Sequence, residues 1–332
     1  MIEFKNPKIG LIGCGYWGKN LCRNFYNLHS LECVVDATEN GKENARSIAP
    51  DTKIYSCIED AFCDPQIKGI VIATPAETHA ELSIRAMEAG KDVFVEKPMA
   101  LSIEDAHRMQ KVAEQTNKIL MIGHLLEFHP AVLKLRNLID TGILGKINYV
   151  YSNRLNFGKV RTEENALWSF APHDVAVILR LLDQSPVEVS ASGGSYLTED
   201  IADITVSNLR FGDDSRAHIF VSWLHPFKEQ RLVVVGEEKM AIFNDVNSFG
   251  EKLRLYPQTV EFDGKVPVLK KEDAQFIEHA DEEPLKNECS HFLECIKTRR
   301  QPLTDAKSSI EVLKVLHACQ SSIDSGGKPI TM

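Results

Sequence analysis

The chain is predicted to be an α/β protein of two domains, the first a doubly wound parallel sheet and the second built on consecutive antiparallel strands. Three observations carry this. Strand and helix patterns alternate through the first 124 residues; a glycine-rich turn stands between the first strand and the first helix; and strand-like runs follow one another without helices from about Pro186 to Tyr256. A length of 332 residues suits two domains.

The elements follow in order. Lys8–Ile12 is a short apolar strand, Trp17–Leu28 a helix and Glu32–Val35 a second strand. Gly69–Ala73 (GIVIA) reads as a buried strand. Thr78 and Glu81 have the spacing of a capping box, and the helix they open ends at Gly90, a good C′ residue. Asp92–Glu96 (DVFVE) is another strand. Ser102 and Asp105 repeat the capping pattern before a helix to about Thr116, and Ile119–Ile122 is the next strand. The boundary is placed near Gly123, giving domains 1–123 and 124–332. Beyond it, Val132, Leu135, Leu138 and Ile139 make a helical stripe stopped by Gly142. Gly212–Asp214 and Gly236–Glu238 separate successive strands, and helices near Leu285–Thr298 and Asp305–Ser322 close the chain. The run Ala217–Leu224 (AHIFVSWL) is apolar on both alternating faces, so a homo-oligomer, dimer or tetramer, packed sheet on sheet is expected.

Composition narrows the partners. With 43% hydrophobic and 26% charged residues the chain is globular, and its net charge of −9 argues against nucleic-acid polymers and anionic membranes as partners. The longest apolar runs fall far short of the ~20 residues that span a bilayer. Met1–Lys8 is mixed polar, and no signal peptide is expected. The eight cysteines form no CxxC pair and are expected as free thiols in a reducing cytoplasm. Cys289, His291 and Cys295 share a helix without the clustering zinc requires, so no metal is expected.

Gly13-Cys14-Gly15-Tyr16-Trp17-Gly18 is a GxGxxG between strand and helix. Gly13 permits the tight turn, Gly15 lets backbone approach a pyrophosphate, and Gly18 lets helix and strand pack closely. Asp36 ends the second strand, eighteen residues beyond Gly18, placed to bond ribose hydroxyls and repel a 2′-phosphate. NAD is therefore expected over NADP, although Lys42 and Arg46 lie near. Thr74-Pro75 follows a strand at the cofactor crevice, with His79 in the next helix; the alternative there is a helix-entry turn without a ligand role. Glu96-Lys97-Pro98 ends the DVFVE strand. A lysine at a strand C-terminus can hold charge as a substrate hydroxyl loses its proton, or it can be a solvated turn residue. Pro98 is a candidate for a cis bond.

On GCGYWG, Thr74-Pro75 and above all Glu96-Lys97-Pro98, the sequence resembles the Gfo/Idh/MocA oxidoreductases over nearly its whole length. The resemblance implies a Rossmann domain followed by a substrate-binding and oligomerisation α/β domain with a large open, mostly antiparallel sheet. It implies hydride transfer between NAD(P) and a carbinol carbon, with Lys97 catalytic. The family's second signature, an Asp with a His four residues on, aligns through His173, whose imidazole suits a proton acceptor near neutral pH. Ser169 occupies the Asp position, a departure that leaves part of the proton relay unassigned. Asp174 points elsewhere on a helix and is no simple replacement.

Tyr151–Trp168 is the expected substrate segment. Ser152, Arg154 and Asn156 share one strand face, with Lys159, Arg161, Asn165 and Trp168 following. Arginines suit a phosphate or carboxylate and an aromatic ring a base or sugar; the alternative is a solvated polar edge. The segment resembles sugar-nucleotide dehydrogenases of the WlbA/WbpB type, which oxidise C3 of a UDP-N-acetylglucosaminuronic acid. The expected activity is thus NAD-dependent oxidation of a nucleotide-linked sugar, with Lys97, His173 and Ser169 at the reacting end. The rivals are a free-sugar or cyclitol dehydrogenase and a non-catalytic NAD-binding regulator.

Overall fold

The structure, a computed structural model, describes residues 6–332; the N-terminal expectation falls partly on residues 1–5, outside the described residues. The chain forms two compact units, one comprising the residues up to Phe128 with Glu283–Leu313, the other His129–Glu282 with Lys314–Met332.

In the first unit the elements run β1 (Lys8–Ile12), α1 (Gly18–Asn27), β2 (Leu31–Val35), α2 (Glu39–Ile48), β3 (Lys53–Tyr55), α3 (Ile58–Cys63), β4 (Ile67–Ile72), α4 (His79–Glu88), β5 (Asp92–Glu96), α5 (Ile103–Thr116) and β6 (Leu120–Gly123). The six strands lie in the order β3-β2-β1-β4-β5-β6, all parallel. This is the expected doubly wound sheet, and its order reverses beside β1, where open α/β sheets bind ligands. Buried runs such as Ile70–Ile72 and Val93–Val95 explain the parallel pairing, since helices cover both faces. The segment α2-β3-α3 escaped the sequence reading because α2 is strongly polar and β3 has three residues. The capping of α5 holds: the Asp105 N–H donates to Ser102 Oγ at 3.0 Å. That of α4 does not. Thr78 makes no side-chain cap and donates instead to the Pro75 carbonyl at 2.7 Å, with its oxygen 2.6 Å from Thr74 Oγ1.

A single boundary near Gly123 does not describe the packing. Helix α8 (Pro284–Thr298), expected in the second domain, belongs to the first unit. Its Phe292 meets Phe94 of β5 at 5.7 Å and Phe25 of α1 at 6.5 Å between ring centroids. Such aromatic pairs contribute about 0.5–1.5 kcal/mol each beyond their burial. Leu285, Cys289 and Leu293 extend the same buried stripe.

The second unit contains α6 (Pro130–Asp140), β7 (Ile147–Phe157), α7 (Ala166–Leu182), β8 (Glu188–Gly194), β9 (Ile204–Arg210), β10 (Arg216–Ser222), β11 (Leu224–Gly236), β12 (Met240–Asn244), β13 (Leu253–Tyr256), the hairpin β14 (Thr259–Asp263) and β15 (Val266–Lys270), β16 (Gln275–Phe276), the C-terminal part of α9 (Ala306–Asp324) and β17 (Ile330–Thr331). Nine strands form one sheet, β16-β13-β12-β11-β7-β10-β9-β8-β17, mostly antiparallel with β7 and β10 parallel. Val150, Ser152, Ala217, Ile219 and Val221 are buried on the face that α7 covers, and Trp223 packs on Phe170 of that helix at 6.4 Å. The opposite face carries Tyr149, 40% exposed, and Tyr151 stacked on His218 at 5.1 Å. Among the described residues no helix is long and apolar enough to cross a membrane, and all eight cysteines are free thiols.

Candidate active site

The glycine-rich turn has the geometry its sequence predicts. Gly13 has φ 90°, and a Cβ there would lie 2.6 Å from the Ala73 carbonyl oxygen. A Cβ on Gly18 would meet the Gly13 carbonyl oxygen at 2.1 Å, so any side chain would push α1 off the turn. Nothing lies within 4 Å of a Cβ built on Gly15. That side is open, as a pyrophosphate at the start of α1 requires. Tyr16 is exposed beside it and Trp17 partly so.

Asp36, at the end of β2, accepts from the Cys14 N–H at 2.7 Å and from the N–H and hydroxyl of Thr38 at 2.8 and 2.7 Å. Burial opposes its charge, but these donors and the Lys42 ammonium outweigh it and hold the carboxyl below its ordinary range. The carboxylate is thereby fixed beside the glycine turn. Sequence reasoning missed two supports. Gly41 is close enough that a Cβ would strike the Asp36 carboxylate at 2.1 Å, and Asn44 Nδ2 donates to the Cys14 carbonyl at 2.9 Å. The polar run after Asp36 is their only sequence signal. The glycine turn with Asp36 beside it has the form of a dinucleotide site.

Lys97 follows β5, and the Lys97-Pro98 peptide is cis. Glu96 is buried and accepts from Trp17 Nε1–H at 2.5 Å and from the Lys97 N–H at 3.3 Å. Burial pushes its carboxyl up to about 7 against the pull of Trp17 and Lys97. His79 differs from its expected role at the cofactor. It is buried, with Nδ1 2.8 Å from the Pro98 carbonyl and Nε2 2.9 Å from the Thr74 carbonyl. Burial keeps the imidazole neutral, so it donates to one of them; its ring bridges the Thr74-Pro75 and Lys97-Pro98 turns and offers no nitrogen to a ligand. His124, buried just after β6, went unnoticed in the sequence although it follows a parallel strand's C-terminal end. Burial, then the Lys97 charge, bring it down to about 3.

In the second unit, Ser152 and Arg154 share a face of β7 as expected, and both turn to α7. Ser152 Oγ donates to Asp174 Oδ1 at 2.6 Å, while Arg154 Nε and Nη2 reach the same carboxylate at 2.8 and 3.1 Å. The Arg154 side chain is 12% exposed. Its expected role as an anion holder gives way to a buried pair, because the nearest carboxylate already satisfies its fork. Trp168 is likewise engaged: its indole donates to Gln320 Oε1 at 3.2 Å and its ring meets His317 at 5.0 Å. Asn165 caps α7, accepting from the Trp168 N–H at 3.2 Å. Ser169 is buried and His173 half-buried on the same helix. Asn156 is half-buried, Lys159 exposed, and Arg161 pairs with Glu164 at 3.1 Å. Lys159 and Arg161 thus remain the accessible cations of the segment.

Two family models match the chain: an oxidoreductase family with an NAD-binding Rossmann fold, GFO_IDH_MocA, over residues 7–124, and the GFO/IDH/MocA C-terminal domain over residues 132–242. A 2,7-anhydro-N-acetylneuraminate hydratase from Mediterraneibacter gnavus is 27% identical across 76% of this chain and 70% of its own length. A scyllo-inositol 2-dehydrogenase (NAD(+)) from Bacillus subtilis is 27% identical across 96% of this chain and 93% of its own. A UDP-N-acetylglucosamine 3-dehydrogenase from Acidithiobacillus ferrooxidans is 25% identical across 92% and 94%. Its solved structure superposes with a TM-score of 0.84 at 23% identity, covering 96% of this chain and 97% of that one, a likeness of fold.

Proposed function

The chain belongs to the Gfo/Idh/MocA family of oxidoreductases with an NAD-binding Rossmann fold, and from that premise we propose that it oxidises a sugar carbinol carbon, the sugar being nucleotide-linked. The observation that carries the reading is the joint presence, at strand C-termini of one parallel sheet, of the open glycine turn with its fixed Asp36 and of Lys97 on its cis turn. Bound NAD supplies the hydride acceptor. The chain's part is to hold and move the proton: Lys97 polarises the substrate hydroxyl and His173 accepts its proton. Much of the acceleration comes from positioning the carbinol carbon. Ser169 stands where the family has an aspartate. Asp174 is no substitute for it, since Arg154 and Ser152 occupy its carboxylate.

NAD is the favoured cofactor because Asp36 accepts from a 2′-hydroxyl and repels a 2′-phosphate. The nucleotide-linked substrate draws support from the near full-length relative acting on UDP-N-acetylglucosamine and from the accessible Lys159 and Arg161. The inositol dehydrogenase, equally full-length, favours a cyclitol or free sugar as the second reading. The half-exposed sheet face with Tyr149 and His218 is the proposed homo-oligomer contact. Thermal-shift screening with NAD present discriminates the substrates: a ligand at 100 times its dissociation constant stabilises by ~2.7 kcal/mol. UDP-sugars should raise Tm where free sugars and inositols do not. The reverse ranking would transfer the assignment to the second reading.

A further inference from the structure

The Trp17 indole reaches from the glycine-rich turn to Glu96 and donates to its carboxylate at 2.5 Å. Pyrophosphate recognition by such a turn uses backbone, so it asks for no donor in the side chain at this position. The contact instead joins the cofactor turn to the residue preceding Lys97.

Glu96 stands where a charge is costly. Its carboxylate lies so near β6 that a Cβ on Gly123 would come within 3.0 Å of it. Helix α8 brings Glu288 and Cys289 to its side, and Glu127 lies in the short turn after β6. Glu288 is 0% exposed and neither of its oxygens has a hydrogen-bond partner. Burial, then Glu96 and Glu127, raise its carboxyl well above the ordinary range, so it stands neutral. The cation facing Glu96 is Lys97; His79 and His124, which face Lys97, are held neutral by burial. Under these conditions a strong, fixed donor decides how much of Glu96 is ionised.

We propose that Trp17 is a positioning residue for Lys97: its indole N–H holds the Glu96 carboxylate in place and so couples the glycine-rich turn to the lysine that polarises the substrate hydroxyl. The inference rests on the reading of Lys97 given above. An ionised Glu96 attracts the Lys97 ammonium and accepts its backbone N–H. Without the indole donor, Glu96 takes up a proton at higher pH and both attractions weaken.

The test is Trp17→Phe, which keeps an aromatic ring and removes the donor at a site 36% exposed in the wild type. With NAD and a turned-over sugar substrate, kcat should fall about tenfold, near the lower end of what a hydrogen bond to a charged group contributes. KM for NAD should change less than about threefold, and the acid limb of the kcat profile should move to higher pH. Trp17→Gln, which restores a donor, should recover part of both. A second arm needs no substrate. The folded-state value of Glu96, about 7, lies above the ordinary 4.5, so its burial removes stability as pH rises between the two. In Trp17→Phe that loss should continue to higher pH, and the Tm gap to wild type should widen above about pH 7. A Tm gap constant with pH, an unmoved acid limb, or a lower kcat matched by a higher KM for NAD would each overturn the proposal. Wild-type protein that binds NAD yet turns over no carbinol while the Tm gap widens as expected would overturn the Lys97 reading and the coupling to it, leaving only the Trp17–Glu96 contact.

Discussion

The glycine turn of the first unit and the β7–α7 face of the second both concentrate polar groups, yet they use them differently. In the first, backbone groups do most of the fixing: Cys14 N–H and Thr38 N–H hold Asp36, and His79 donates to one of the two carbonyls beside it, Thr74 or Pro98. Such partners are set by the fold and leave the side of Gly15 open. In the second, long side chains meet one another first. Arg154 is taken by Asp174 and Trp168 by Gln320, while Arg161 keeps only a half-exposed pair with Glu164. A site built on backbone geometry is preformed. A site built on side chains is partly consumed by its own structure, and only the residues left over are available to a ligand.

The contrast can be broken or sharpened by substitution. The largest effect is expected at Lys97. Lys97→Met should lower turnover ~10²–10⁴-fold, the usual loss for an acid–base group, with NAD affinity retained, and His173→Asn should lower it too. Near-normal steady-state turnover in Lys97→Met would remove the chemistry from the first unit. Next comes Arg154. If it is structural, Arg154→Ala leaves a buried carboxylate unpaired and should destabilise by about 3–5 kcal/mol in denaturant unfolding. A loss below about 1 kcal/mol, joined to a raised KM, would return Arg154 to the substrate.

Arg161 sharpens the same point. Its ion pair is half-exposed, and such pairs add only ~0–1 kcal/mol, so Arg161→Ala should barely move Tm. It should raise KM for a UDP-sugar more than tenfold, about 1.4 kcal/mol, with kcat and NAD affinity little changed. Equal KM changes for charged and neutral sugars would make this arginine structural as well. The smallest effect is expected at Asp36: Asp36→Ala should weaken NAD several-fold and relax discrimination against NADP in paired binding titrations. Tighter binding of NADP than of NAD by the wild type would contradict the assignment.

These differences follow what a sequence can carry. The turn at Gly13, the shared face of Ser152 and Arg154 and the α5 cap are short-range consequences of backbone geometry, so spacing alone specified them. Arg154 shows the limit. Its face was legible, but its partner lies on another element, and nothing local says that Asp174 will reach it first. Helix α8 shows the same limit at larger scale. Its apolar stripe was plain, while the surface it covers, Phe25 and Phe94, is set by packing across the chain. His79 and Trp17 were read through motif position, and their actual partners, the Pro98 carbonyl and the Glu96 carboxylate, are both long-range.

In the proposed reaction hydride leaves a carbinol carbon of the substrate for NAD, while Lys97 polarises the hydroxyl and His173 accepts its proton. Isotope tracing tests it most directly. The protein is incubated with NAD and a UDP-sugar deuterated at the carbinol carbon, and the nicotinamide is analysed by mass spectrometry and NMR. Deuterium is expected at C4 of the nicotinamide with wild-type protein, and little with Lys97→Met. Wild-type protein that binds both ligands yet transfers no label, or Lys97→Met that transfers it at the wild-type rate, would contradict it.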